Sequence, residues 1–177
     1  MSTVQVVEEG NRRKGGMSSE ETDQCILDIL SWFQRKKASL PKASMDPQEV
    51  EALEKALDAP VPKALAFLLE KQNGGIWFNE FKSLSCDEII STAETSQSWD
   101  GWARGHVPLA ADVDGALLVI DTKHGNAVHE LSSEGLGRQL GPSLTAFFET
   151  YRNELLSGNY DFVQDVGLVE RSQKPRK

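Results

Sequence analysis

The chain has 177 residues, of which 39% are hydrophobic and 26% charged, and 19 Lys and Arg against 27 Asp and Glu give a net charge of -8. This composition is typical of one folded domain with short tails and excludes a wholly disordered chain. No apolar run approaches the roughly 18 residues that a membrane span needs, and residues 1–10 lack the apolar core of a secretory signal, so we expect a cytoplasmic protein with a nuclear location as the alternative.

Charge is divided unevenly along the chain. Residues 46–170 hold 8 basic and 21 acidic side chains, a net charge of -13, whereas the last seven residues add four basic side chains. An acidic body repels phosphates and argues against nucleic-acid binding. The same field favours a basic protein partner, although charge that only keeps the protein soluble gives the same pattern.

The N-terminal quarter of the chain predicts a tail and then a helix. Residues 1–19 are polar and show no period, so we expect a flexible tail, in which Arg12-Arg13-Lys14 is either a nuclear-localisation signal or simply solvated charge. Within residues 20–44 we expect an added amphipathic helix and a connector. The helix begins with a Ser-Ser-Glu-Glu capping signal, and its apolar residues recur at helical spacing: Ile26, Ile29, Leu30 and Phe33.

Two more helices are predicted before the first strands. Asp46-Pro47-Gln48-Glu49 is a strong start signal, because Asp caps a helix and Pro suits its first turn. Pro60 and Pro62 interrupt the chain, and a third helix over residues 63–71 ends at Asn73-Gly74-Gly75.

The rest of the chain predicts strands and a last helix. Short β-like segments at 76–78 and 81–84 precede a short helix that begins near Asp87. Segments 106–110, 116–121 and 127–131 predict an antiparallel meander whose apolar middle strand is covered on both faces. The glycine-rich stretch 135–141 is interpreted as a flexible connector. Helical spacing then predicts a final helix whose buried face carries Leu144, Phe147, Phe148, Tyr151 and Leu155. The fold class is therefore α+β.

Three segments in this order resemble the SUKH superfamily, which includes the Smi/Knr family. They are EVEALEKALDAPVPKALAFLLEKQNGG, HVPLAADVDGALLVID and LGPSLTAFFETYRNELLSGNYDF, and together they place a SUKH-like domain at residues 45–162, followed by a C-terminal tail at 163–177. The resemblance implies a central, mostly antiparallel sheet flanked by helices. It also implies a non-enzymatic protein-binding module, either a regulator like the fungal cell-wall and signalling members or an immunity protein that neutralises a toxin.

The polar clusters do not form a recognisable metal or cofactor site. Asp112-x-Asp114-Gly115 resembles the start of a calcium loop, but Leu117 and Lys123 stand where that loop needs a glycine and a glutamate, so we expect a tight turn. The three histidines, His106, His124 and His129, lack the spacing that would bring two of them onto one face as metal ligands. We therefore expect no metal and no cofactor.

Catalytic residues are not evident either. Cys25 is expected to be a small buried hydrophobe, and Cys86 is flanked by acids that disfavour its thiolate, although its reactivity stays open. The competing hypothesis is a small enzyme or ligand-binding protein with a pocket between the sheet and the last helix, where Asp121, His129 and Tyr151 would meet.

Trp99-Asp100-Gly101-Trp102 is the strongest candidate site. Two large rings lie in a segment without helical or strand period, and exposed Trp residues beside acids are typical of protein-binding hot spots. We predict that Trp99, Asp100 and Trp102, together with Asp112 and Asp114, bind the partner. The alternative is that both rings fold back over the sheet as a lid on the core.

Overall fold

The structure is a computed structural model that describes residues 18–40 and 46–171. Most of the predicted tail at 1–19, with its Arg12-Arg13-Lys14 cluster, and the last six residues lie outside the described part. Within that part the chain forms helices and a sheet in the order that the sequence predicts.

Five helices are described, and three begin at a capping box. Ser18, Asp46 and Ser85 each accept a hydrogen bond from the backbone N–H three residues on, where a glutamate side chain reaches back to the cap. The helix starts predicted at residues 18 and 46 are therefore confirmed. The helices are α1 (Ser19–Arg35), α2 (Pro47–Leu57), α3 (Lys63–Lys71), α4 (Cys86–Ser96) and α5 (Leu144–Leu156).

The sheet has six strands that follow each other in chain order, and every neighbouring pair is antiparallel. The strands are β1 (Trp77–Phe78), β2 (Phe81–Ser83), β3 (His106–Ala111), β4 (Leu117–Asp121), β5 (Ala127–Ser132) and β6 (Gly135–Gly141). The predicted meander is β3, β4 and β5. The α+β class and the antiparallel sheet flanked by helices are thus confirmed.

The interpretation of residues 135–141 as a connector is wrong, because they form β6. Three glycines and no β-branched residue give this segment little strand propensity of its own. Pairing with β5 imposes the extended conformation instead. Gly141 also tolerates no side chain without adjustment, since a Cβ there would lie 3.1 Å from the Cβ of Phe147 on α5.

The main core lies between the helices and one face of the sheet, which we call the inner face. Leu118 and Ile120 of β4 and Val128 of β5 point into it, as do the five residues predicted for the last helix. Helix α1 belongs to the same core, since its predicted stripe is buried there. Tyr151 is buried on this side, and its hydroxyl donates a hydrogen bond to the carbonyl oxygen of Trp77.

A second hairpin closes one edge of the sheet. It consists of β7 (Tyr160–Val163) and β8 (Gly167–Glu170), so part of the segment predicted as a C-terminal tail, residues 163 and 167–170, lies in strands. The N–H of Leu168 donates to the carbonyl oxygen of Asn79, beside β1, at 3.3 Å. The hairpin thereby covers the short edge strand β1.

Candidate functional site

The opposite, outer face of the sheet carries a small apolar cluster of its own. Leu117, Val119 and Leu131 are buried there, and within residues 18–40 and 46–171 no helix contributes to their cluster. The rings of Trp99 and Trp102, both half-buried, pack against this cluster and cover it. The structure therefore shows the lid arrangement, with part of each ring still open to solvent.

The loop that carries the two tryptophans follows α4 and is held closely against the sheet. The N–H of Trp99 donates to Ser96 and the N–H of Trp102 donates to Trp99, which gives two tight turns. Gly101 has φ +90°, and a Cβ there would lie 2.8 Å from the backbone nitrogen of Leu136. Only glycine allows this approach. We call residues 97–105 the Trp loop.

His106 fixes the other end of the Trp loop. Its side chain is buried, and Nδ1 accepts a hydrogen bond of 3.0 Å from the backbone N–H of Ala103. The Trp102 ring meets the imidazole edge to face, with centroids 5.5 Å apart and planes at 87°. Burial lowers the pKa of His106, and the carboxylate of Asp121, 3.9 Å from Nε2, only partly opposes this shift. His106 is therefore a neutral hydrogen-bond acceptor that holds the loop.

The acidic members of the predicted site lie in the loop and in the β3–β4 turn. Asp100 and Asp114 are exposed. Asp112 shapes its own turn, because Oδ1 accepts the N–H groups of Asp114 and Ala116, each at 2.9 Å. The predicted tight turn is confirmed. A cleft of about 270 Å³ lies between Asp112 and the β5–β6 turn at Gly135, so this end of the sheet presents acids around a shallow depression.

The three residues of the competing enzyme hypothesis do not meet. His129 is paired with Val119, and Asp121 lies two residues further along β4, so both belong to the outer face. Tyr151 is buried on the inner side against Trp77. Since the sheet separates them, these three side chains cannot line one pocket.

Asp121 instead organises the start of the β4–β5 turn. Its carboxylate accepts hydrogen bonds from His124 Nδ1 at 2.9 Å and from the N–H of Lys123 at 3.1 Å. Burial raises the pKa of Asp121, but these two hydrogen bonds and the electrostatic effects of His124 and His106 together hold the pKa below its ordinary value. No group of His, Cys, Asp and Glu within residues 18–40 and 46–171 could hold a metal ion.

Both cysteines are free thiols inside the fold. Cys25 lies on the core side of α1, as predicted, and burial raises its pKa. Burial also raises the pKa of Cys86, and Asp87 and Glu49 add to the shift. A raised pKa disfavours the reactive thiolate at either position.

Leu136 belongs to the same surface but was missed by the sequence analysis. Its side chain is 51% exposed and shares the outer face with its pairing partner Leu131, next to Gly101. The only available signal was a lone leucine between two glycines, in a segment interpreted as a connector.

None of the helices in the described ranges is both long and apolar enough to cross a membrane.

Comparison with known families agrees with this architecture. The family model described as the SMI1 / KNR4 family (SUKH-1) matches residues 44–150, which include α2 to α4, all six strands of the main sheet and the first half of α5. The chain belongs to this family. SUKH-1 relatives include toxin-immunity and regulatory proteins, and SUKH domains are associated with protein interaction. A search of curated proteins returned no match. In this SUKH-1 protein the outer face lies within the matched residues, whereas α1 precedes them.

Proposed function

We propose that this SUKH-1 protein is a non-catalytic cytoplasmic protein-binding module, and that its outer face binds a basic protein partner. The observation that carries the proposal is the half-buried Trp99 and Trp102 pair, with exposed Asp100 between them in the Trp loop and exposed Asp114 in the β3–β4 turn. Aromatic rings on a firmly held loop supply contact area at little entropic cost, and acids around them select a cationic partner.

The firm attachment of the Trp loop supports this role. Gly101 and His106 fix the loop at two points, so the rings need little further ordering when a partner binds. The net charge of -13 over residues 46–170 adds a long-range attraction for a basic surface. The partner is either the target of a regulator or the toxin of an immunity protein.

Charge reversal gives a cleaner test than removal of the tryptophans. Alanine at either ring would uncover Leu117 and its neighbours and destabilise the fold, whereas Asp100 and Asp114 are exposed. The D100K/D114K double variant leaves the turn-forming Asp112 unchanged. A partner captured from native lysate and then purified should bind this variant at least about tenfold more weakly than the wild type at low salt.

The matched control reverses two exposed acids on helices, Glu51 on α2 and Glu94 on α4. The E51K/E94K variant changes the net charge by the same amount and should bind almost normally. Equal weakening of both variants would mean that only net charge matters, and no weakening of D100K/D114K would show that the assigned surface is wrong. Protection of cells against a toxin encoded beside this gene would select the immunity role over the regulatory role.

A further inference from the structure

Strand β6 is an open edge of the main sheet. It spans Gly135–Gly141, and residues 136–139 are exposed. One side of the strand pairs with β5, but among the described residues no hydrogen-bond partner faces its other side. Antiparallel strands point about half of their backbone N–H and C=O groups away from each neighbour. Strand β6 therefore offers a row of backbone donors and acceptors to another chain.

The two edges of this sheet differ. At the opposite edge, β1 has only two residues, and the β7–β8 hairpin lies against it through the hydrogen bond from Leu168 to Asn79. Proteins commonly cover, shorten or charge an edge strand to prevent unwanted pairing. Here one edge is both short and covered, while the longer edge carries a single charge, Arg138.

The charges near β6 favour a basic strand over a second copy of this chain. The guanidinium of Arg138, the one charged group on β6, is already paired with Glu130 Oε2 at 3.0 Å. Asp100 and Glu134 remain exposed next to the strand's beginning. A second acidic copy would bring like charges together. In a segment of alternating residues, aliphatic side chains on the outer face would meet the exposed Leu136, and basic side chains on the opposite face would meet Glu80 and Glu130, which line one small cavity there.

We propose that β6 is the docking strand for the partner, which adds an extended segment of alternating basic and aliphatic residues as a seventh strand. The inference rests on the proposed protein-binding function and specifies its mode. Backbone hydrogen bonds along β6 hold the added segment, and its aliphatic side chains extend the apolar outer face beyond Leu136 and the Trp loop.

An acetylated and amidated Lys-Val-Lys-Val-Lys-Val-Lys peptide is the probe. Amide hydrogen exchange of the full chain should slow at residues 136–140 by about tenfold or more at saturating peptide. An analogue with proline at the central valine and a Glu-Val analogue should bind at least about tenfold more weakly, since one cannot pair continuously and the other is repelled. Failure of the Lys-Val peptide to bind would overturn the proposal.

Two variants provide the matched comparison. L136K places a cation on the exposed edge and should weaken the Lys-Val peptide by about tenfold. V166K alters a residue of similar exposure, 55%, in the β7–β8 turn and should leave binding unchanged. Equal effects of the two variants would contradict docking at β6.

The possible failures can be distinguished. If the peptide shifts the indole N–H resonances of Trp99 and Trp102 but leaves exchange along β6 unchanged, strand addition is wrong and the proposed surface stands. If β6 is protected while D100K/D114K binds the captured partner normally, the docking strand stands and the acidic surface is wrong. Concentration-dependent dimers with β6 protected in the absence of peptide would overturn the proposed partner in favour of a second copy.

Discussion

Because His106 accepts a hydrogen bond from Ala103, we predict that the free energy of unfolding depends on pH. Nδ1 accepts the backbone N–H, so protonation of the ring would replace the acceptor by a second donor. The loss of such a bond costs about 0.5–1.5 kcal/mol, and burial of the imidazolium adds to this cost. Both effects oppose protonation in the folded state, in agreement with the lowered pKa of His106.

The direction of the pH effect follows from proton binding. In the unfolded chain His106 takes up a proton near its ordinary pKa of 6.5, whereas in the folded protein it does so only at lower pH. Between these two values the unfolded state binds more protons, so the free energy of unfolding falls as the pH falls. One proton corresponds to at most about 1.4 kcal/mol per pH unit. The lowered pKa of Asp121 acts in a separate window, since its stabilisation is lost only as the pH falls below 3.8.

Urea denaturation between pH 8 and pH 5, followed by tryptophan fluorescence, measures this effect. In H106N the amide oxygen can accept the same hydrogen bond but does not titrate. The free energy of unfolding should therefore change less with pH than in the wild type, and it should be lower at every pH because the side chain packs less well against Trp102. H129N is the comparison. His129 is half-buried on β5, beyond β4, and makes only a minor contribution to the lowered pKa of His106, so this variant should keep most of the wild-type slope. Parallel profiles for wild type and H106N would refute the reasoning.

Two further predictions concern the inner side of the sheet and its β1 edge. Y151F removes the buried hydroxyl that donates to the carbonyl oxygen of Trp77, so the free energy of unfolding should fall by about 1–3 kcal/mol, and a loss within error would show that water or another donor replaces the bond. In G167A the backbone keeps a φ of +113°, and the added Cβ would lie only 2.5 Å from the carbonyl oxygen of Asn79. The midpoint of thermal unfolding should therefore fall well below that of the control G158A, where φ is +86° and no atom lies within 4 Å of the added Cβ. Equal midpoints would show that the hairpin does not press on β1.

Much of the fold could be predicted because its signals are local. Capping residues marked the starts of α1 and α2, and helical spacing identified the buried face of α5. The four apolar residues of β4 indicated a strand buried on both faces, and all four are buried. In contrast, β6 and β8 have weak patterns of their own and depend on pairing with partners.

The candidate site could be predicted only in part, because its members meet through the sheet. The sequence identified Trp99 and Trp102 but left two interpretations open, since the cluster that they cover comes from strands 15 or more residues away. The contact of Gly101 with Leu136 and the bond from Ala103 to His106 likewise depend on tertiary structure. Spacing along the chain could not indicate either.

The lid and the hot spot are compatible descriptions of the same two rings. A strand buried on both faces needs apolar cover on its outer side, and the Trp loop provides it for Leu117 and Val119 without a helix. Because a loop is thinner than a helix, its covering rings stay half-exposed while the sheet holds them in place. Burial of the outer face of β4 thus places the two aromatic rings on the surface next to β6. A partner that pairs with β6 would complete the cover of this face, and stability and binding would then depend on the same contacts.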